Sequence, residues 1–223
     1  MNIKKYRTWM FDCDGVILDS NKTKTDAFYE VAAPYGIDAA EKLVKHHKQY
    51  GGVSRYEKMK VLLRDILKKP LLEEELNRLI ERYGNICKSE LLTCDETPGM
   101  RSFLDAISKH ADLFVVSGGR QDELREIFKK RGLDKYFKGI CGSPVKKLDI
   151  VQNLKENKID APAVFIGDAR LDYLAACSIN ADFIFMSEFS EFSDWQEYFA
   201  DKENCRVIKN LTELQEFTEH IPA

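Results

Sequence analysis

The sequence predicts an α/β protein: a parallel sheet covered by helices, with an all-helical unit inserted straight after the first strand. Three observations carry this. From residue 98 onward, short apolar runs alternate with stretches of helical period, the pattern of strands joined by crossover helices. Residues 20–91 show helical periodicity alone. The first apolar run, Trp9-Met10-Phe11, delivers two carboxylates one residue apart, Asp12 and Asp14, followed by Gly15. Buried acids so close repel unless a cation or a shared proton relieves them, so this stretch asks for chemistry beyond packing.

Each element follows in order. Residues 7–12 are the first strand. Residues 24–35 form a helix with Phe28, Val31, Ala32 and Tyr35 on one face and Gly36 as its stop. Residues 39–49 form a second, ending at Gly51-Gly52. Ser54-Arg55-Tyr56-Glu57 matches a capping box and opens a third helix, whose stripe is Met59, Leu62, Leu63, Ile66 and Leu67 and whose end is Pro70. A fourth spans residues 72–90. Beyond it, Pro98-Gly99 opens a helix carrying Phe103, Leu104 and Ile107. Residues 113–117 are a buried strand broken at Gly118-Gly119, and a helix with Leu124, Ile127 and Phe128 stops at Gly132. A short strand (138–142), a helix (147–157), a buried strand (163–168), a helix through Ala175 and Ala176, and a strand (183–186) complete the alternation. Residues 187–205 read as a surface loop with a short helix, 206–208 as an edge strand and 211–220 as a closing helix. The implied division is a core of residues 1–19 and 92–223 around a helical insert of residues 20–91.

The chain has 223 residues, 44% hydrophobic and 32% charged, enough for one domain with an insertion. A net charge of −3 argues against nonspecific nucleic-acid binding. No apolar run approaches the roughly 20 residues that span a bilayer, and Met1 to Tyr6 show no apolar signal core. Six cysteines without a C-x-x-C pair exclude zinc and dithiol motifs and read as reduced core thiols. A cytoplasmic protein is expected, with monomer and dimer both open.

In open parallel sheets, sites form beyond the carboxyl ends of the strands. Four ends carry polar groups here: Asp12 and Asp14 after the first, Ser117 beside two glycines after the second, Lys146 and Lys147 beyond the third, and Gly167-Asp168-Ala169-Arg170-Leu171-Asp172 after the fourth. Clustered carboxylate oxygens suit a hard cation such as Mg²⁺ better than zinc. A lysine and a hydroxyl beside it would hold the other oxygens of a phosphoryl group.

The ordered set Asp12-x-Asp14-Gly15-Val16, Ser117 after a hydrophobic strand, Lys147, and Gly167-Asp168-x-x-x-Asp172 resembles the haloacid dehalogenase superfamily, from residue 7 to about 186. The likeness is to the phosphoglycolate phosphatase and β-phosphoglucomutase branch. It implies a Rossmann-like core with a helical cap inserted after the first motif. It also implies roles: Asp12 as nucleophile, Asp14 as proton donor and then base, Ser117 and the Gly118 amide as phosphate ligands, and Lys147 as neutralising cation. Mg²⁺ would be held by Asp12, the main-chain carbonyl of Asp14, and Asp168, with Asp172 binding or orienting it. Lys147 is chosen over Lys146 because relatives place this lysine three residues after a Gly-Ser-Pro (here Gly142-Ser143-Pro144), with an aliphatic residue (Ile150) three further on.

The implied reaction is Mg²⁺-dependent hydrolysis of a small phosphomonoester through an aspartyl-phosphate. Two alternatives share the motifs. One is a sugar-phosphate mutase, which would return the phosphoryl group to substrate. The other is a phosphonate-cleaving hydrolase, which would need a Schiff-base lysine in the cap, Lys58 or Lys60. Ser54 and Arg55 are tentative specificity residues, against a plain reading as a helix cap and a solvated arginine. His46 and His47 are expected at the surface, Arg120 on an exposed helix face, Asp19 in a turn, and the aromatics of 189–199 in packing.

Overall fold

The structure, a computed structural model, describes residues 3–157 and 159–214. Its six strands are β1 (Thr8–Phe11), β2 (Asp112–Arg120), β3 (Gly139–Ser143), β4 (Ala163–Gly167), β5 (Asp182–Met186) and β6 (Cys205–Ile208). They form one parallel sheet in the order β3-β2-β1-β4-β5-β6. The chain steps outward from β1 to β3, then crosses back and steps outward from β4 to β6. That reversal opens a crevice between the carboxyl ends of β1 and β4.

Side chains alternate along each strand, so the sheet feeds two cores. Trp9, Phe11, Val115, Val164, Ile166 and Ile184 join the cluster on one face. Met10, Phe114, Val116, Phe165, Phe183 and Phe185 join the other. Burial on both faces explains why these strands read as unbroken apolar runs rather than alternating ones.

Between β1 and β2 the chain is helical: α1 (Asn21–Ala32), α2 (Ile37–Gln49), α3 (Arg55–Val61), a π-helical turn (Leu62–Ile66) and α4 (Glu73–Thr93). Helix α1 packs on α2 and α4 through Phe28, Val31, Leu43, Ile80 and Tyr83, all buried. After Glu96 come α5 (Met100–Ile107), α6 (Gln121–Lys130), α7 (Lys147–Asn157), α8 (Arg170–Ser178) and α9 (Trp195–Phe199). Helices α7 and α8 pack on each other and against the sheet.

Several expectations change. Helix α1 starts at Asn21 rather than 24, and its last turn is 3-10 (Ala33–Tyr35), since Pro34 has no N–H to continue the α ladder. Strand β2 does not break at Gly118-Gly119 but runs to Arg120, its register against β3 shifting between Val116 and Arg120. Ser54 makes no side-chain cap; Glu57 bonds Lys60 at 2.8 Å instead, so the capping box is absent. The stretch 187–205 is more than a surface loop: Phe192, Trp195, Tyr198 and Phe199 pack on the second core, with Phe199 and Phe185 centroids 4.7 Å apart. Strand β6 covers the expected edge. Of the expected closing helix, Leu211–Leu214 is 3-10, and the remainder lies outside the described residues.

Candidate active site

The site is built from strand ends upward. Asp12 follows β1 and is 4% exposed. Its Oδ1 accepts the Cys13 amide at 2.7 Å, and its Oδ2 lies 3.0 Å from Lys147 Nζ. Lys147, the first residue of α7, is buried and also donates to Asp172 Oδ1 at 2.5 Å. The other Asp172 oxygen accepts the amides of Asp168 (3.2 Å) and Ala169 (3.0 Å), closing the start of α8. Lys146 is exposed. Carboxylate oxygens of Asp12, Asp168 and Asp172 lie within 4.8 Å of one another, all buried.

Asp14 is half-buried, its Oδ1 accepting Ser20 Oγ at 2.6 Å, with Lys24 Nζ at 3.6 Å. Gly15 turns the chain with φ +75°, and a Cβ there would lie 2.6 Å from Asp168 Oδ2, so both conformation and space demand glycine. Ser117 is buried, its Oγ accepting the Gly119 amide at 3.0 Å. Gly118 and Gly119 line the crevice.

Three buried carboxylates face one buried ammonium. Burial raises the Asp12 carboxyl to about 7, Lys147 opposing and Asp172 and Asp14 reinforcing. Burial likewise raises Asp168 well above its usual range, with Asp12 and Asp172 adding to it. Burial pulls the Lys147 ammonium down, but Asp12 and Asp172 outweigh it and hold it above its usual value. Hard, converging oxygens short of positive charge fit a divalent cation such as Mg²⁺.

The helical insert covers this floor. A Cβ on Gly118 would lie 2.4 Å from the Gly52 carbonyl, and one on Gly52 would lie 3.4 Å from Lys147 Nζ, so the Gly51-Gly52 loop sits directly over the strand ends. The pocket between insert and core, about 70 Å³, is lined from the insert by residues that include Lys24, Phe28, His47, Arg55, Lys58 and Tyr83. Arg55 is no solvated arginine. It is buried, bonded by both terminal nitrogens to Glu123 of α6 (3.0 and 2.5 Å), and stacked 4.9 Å above Tyr83. Ser54 is half-buried. Arg120 leaves the expected helix face and pairs with Glu81 of α4 at 2.8 Å. His47 is the main correction: it is buried against Phe28 and faces the pocket, because Ala40, Leu43 and His47 share the inner face of α2. His46 is only half-buried. Lys58 is 1% exposed and lines the pocket, whereas Lys60 pairs with Glu57.

Four residues not singled out from the sequence complete the site, with Phe192 of the aromatic stretch beside them. Asn21 Nδ2 donates to Asp168 Oδ2 at 2.6 Å and to the Phe189 carbonyl at 2.7 Å. Lys24 flanks Asp14. Glu123 holds Arg55. Glu191 accepts Thr25 Oγ1 at 2.6 Å and lies 3.3 Å from Lys48, tying the insert to the loop after β5. Phe192 lines the same pocket. Lys24 carried a readable signal, sitting four residues before Phe28 on the buried face of α1.

The Arg55–Glu123 pair bridges insert and core, so truncating Glu123 leaves the Arg55 guanidinium buried without its carboxylate, and truncating Arg55 removes the tie between the two units. Arg55→Ala and Glu123→Ala should each lower kcat/KM, and the double variant should be about as poor as either. A coupling of about 2 kcal/mol in a double-mutant cycle is expected; additive losses would show the two residues acting separately.

A parallel sheet with an acidic strand-end cluster, a paired lysine and a helical insert defines the class to which the chain is assigned. The chain belongs to the haloacid dehalogenase-like hydrolase family, whose model matches residues 9–186. Over 129 residues it is 33% identical to the phosphorylated carbohydrates phosphatase of Thermotoga maritima, the match covering 57% of this chain and 57% of that protein. Among solved structures, β-phosphoglucomutase from Clostridium difficile superposes with a TM-score of 0.72 at 20% identity, over 96% of this chain and 97% of that one. CbbY from Rhodobacter sphaeroides, in complex with phosphate, gives 0.71 at 16% identity over 96% and 99%. At such identities the structures share the fold. No helix among the described residues is long and apolar enough to cross a membrane.

Proposed function

We propose that this chain is a Mg²⁺-dependent phosphatase acting on a small phosphorylated metabolite, with residues 20–91 as a cap over the core. The observation that carries the reading is the buried floor, where Asp12 is held by Lys147 beside Asp168 and Asp172. Asp12 is the nucleophile: its carboxylate attacks phosphorus, the ester oxygen departs, and an aspartyl-phosphate forms. Asp14 protonates the departing oxygen and then takes a proton from the water that hydrolyses the intermediate. Ser20 and Lys24 orient it for both steps. Ser117 and the Gly118 amide bind phosphoryl oxygens, and Lys147 offsets charge as attack proceeds.

Mg²⁺ would be held by Asp12, Asp168 and the Asp14 main-chain carbonyl, with Asp172 orienting the group through Lys147 and the Asp168 amide; bound there, it would neutralise phosphate charge. The relative from Thermotoga, by its name, favours a phosphorylated carbohydrate. The free thiols fit a reducing, cytoplasmic setting.

Release of phosphate from p-nitrophenyl phosphate with Mg²⁺, followed by a metabolite panel, tests the reading; no turnover on any phosphomonoester would overturn it. A second check needs no turnover. In metal-free protein the raised Asp12 and Asp168 carboxyls favour the protonated folded state. Their contribution to stability is full below the usual carboxylate pKa of about 4 and is lost as pH rises through about 7 for Asp12. The melting temperature should therefore fall between pH 5 and pH 8 with chelator, and Mg²⁺ should abolish most of that fall. Superimposable curves with and without Mg²⁺ would count against a metal at these carboxylates.

A further inference from the structure

We propose that Lys58, oriented by His47 and flanked by Lys24, is a specificity-determining residue that binds an anionic group on the alcohol half of the substrate. Building on the phosphatase reading, this makes the substrate class a phosphomonoester whose leaving alcohol carries a carboxylate or a second phosphate, rather than a neutral sugar.

Lys58 is a buried amine without a counter-ion, 1% exposed. Its Nζ lies 2.6 Å from His47 Nδ1 and 5.3 Å from the Phe28 ring centroid. Among the described residues, no carboxylate comes within 4.0 Å of it. An ammonium has only donors to offer, so Nδ1 accepts and the imidazole proton sits on Nε2. Burial, with Lys58 adding to it, holds the His47 pKa far below its usual value, so the ring stays neutral and orients Lys58 without cancelling its charge. Two of the three ammonium donors are left for a ligand. A buried cation with no counter-ion is strongly unfavourable in the absence of a function.

Position supplies the rest. Lys58 and Lys24 share one pocket with Asp12 and Asp14. Asp14 marks the side from which the leaving oxygen is protonated, and Lys24 lies 3.6 Å from it. The cap wall beyond therefore meets the alcohol half of the ester. That wall presents the cationic donors Lys24, Arg55 and Lys58 and the rings of Phe28 and Tyr83, with the amides of Asn21 and Gln49 beside them. The pocket's Glu191, from the loop after β5, is already engaged by Thr25 and Lys48, and its Oε2 lies 3.7 Å from His47 Nε2. Sugar hydroxyls need acceptors as well as donors; a carboxylate or phosphate needs donors alone. Burial draws the Lys58 pKa down to about 7, with Lys147 and Lys24 opposing Asp14 and Glu191, and a docked anion favours its charged form.

Matched pairs test the proposal. Phosphoglycolate against its methyl ester reads the carboxylate arm, and a hexose 1-phosphate against the 1,6-bisphosphate reads the phosphate arm. The wild-type protein should prefer the charged member of one pair by about 10- to 100-fold in kcat/KM, carried mainly by KM. The pair showing the preference identifies the group. Lys58→Met should bring that ratio to within about threefold, and Lys58→Arg should retain part of it. Calorimetric titration of the same pairs into Asp12→Asn protein reads the preference without turnover or any change at Lys58. Equal kcat/KM within both wild-type pairs would overturn the proposal. So would an equal loss on charged and neutral members in Lys58→Met, or borohydride trapping of Lys58 with phosphonoacetaldehyde, which would make it an imine-forming amine. Turnover of p-nitrophenyl phosphate reports on the phosphatase reading by itself, so the two failures are distinguishable.

Discussion

Asp12→Asn should lower turnover of p-nitrophenyl phosphate by roughly 10³-fold or more while leaving the fold intact. The amide keeps the volume of the carboxyl, and its oxygen can still accept the Cys13 amide that fixes the side chain at 2.7 Å. What it loses is the oxygen nucleophile. Stability should move the opposite way. Burial already raises the Asp12 carboxyl to about 7, so the ionised group is a burden on the metal-free fold at neutral pH. In chelator at pH 8 the variant should therefore melt no lower than wild type. Loss of turnover with retained melting separates chemistry from folding. Turnover within tenfold of wild type would remove Asp12 as the nucleophile and sink the aspartyl-phosphate route.

The floor of the site was legible because strands display chemistry at their ends. Asp12, Ser117, Lys147 and Asp168 each stand at a change of pattern, where an apolar run stops or a helix begins. The order of those changes sets their place on the sheet. The roof was less legible. His47 and Lys58 sit on amphipathic helices as ordinary polar residues, and only their coincidence with the inner face distinguishes them. Ala40, Leu43 and His47 form one stripe, and Lys58 lies four residues before buried Leu62. Ser54 shows the reverse failure: its motif was local and clear, yet Glu57 bonds Lys60 rather than the helix start. Glu123 and Glu191 left no readable trace. Each acts through a partner far away in sequence, Arg55 at 68 positions and Thr25 at 166, and no local period encodes such a pairing.

The same logic makes Lys147 the second position of large effect. Its ammonium bonds Asp12 and Asp172, and Asp172 in turn accepts the amides of Asp168 and Ala169. One cation thus holds the end of β1, the start of α7 and the turn into α8. Lys147→Met keeps the apolar stem but leaves Asp12, Asp168 and Asp172 buried without a protein cation. Removing one partner of a buried pair costs about 3–5 kcal/mol, so the metal-free variant should melt roughly 10 °C lower at neutral pH. The sign of the pH dependence is fixed by the carboxylates. Protonation relieves their repulsion, so the deficit against wild type should shrink as pH falls towards 5, and added Mg²⁺ should recover part of it by replacing the lost charge. Lys147→Arg keeps the charge but enlarges a fully packed group, so its melting deficit should be smaller and respond little to pH. A Lys147→Met deficit that is constant across pH and indifferent to Mg²⁺ would mean that Lys147 supports the fold by packing, not by balancing the acids that follow β1 and β4.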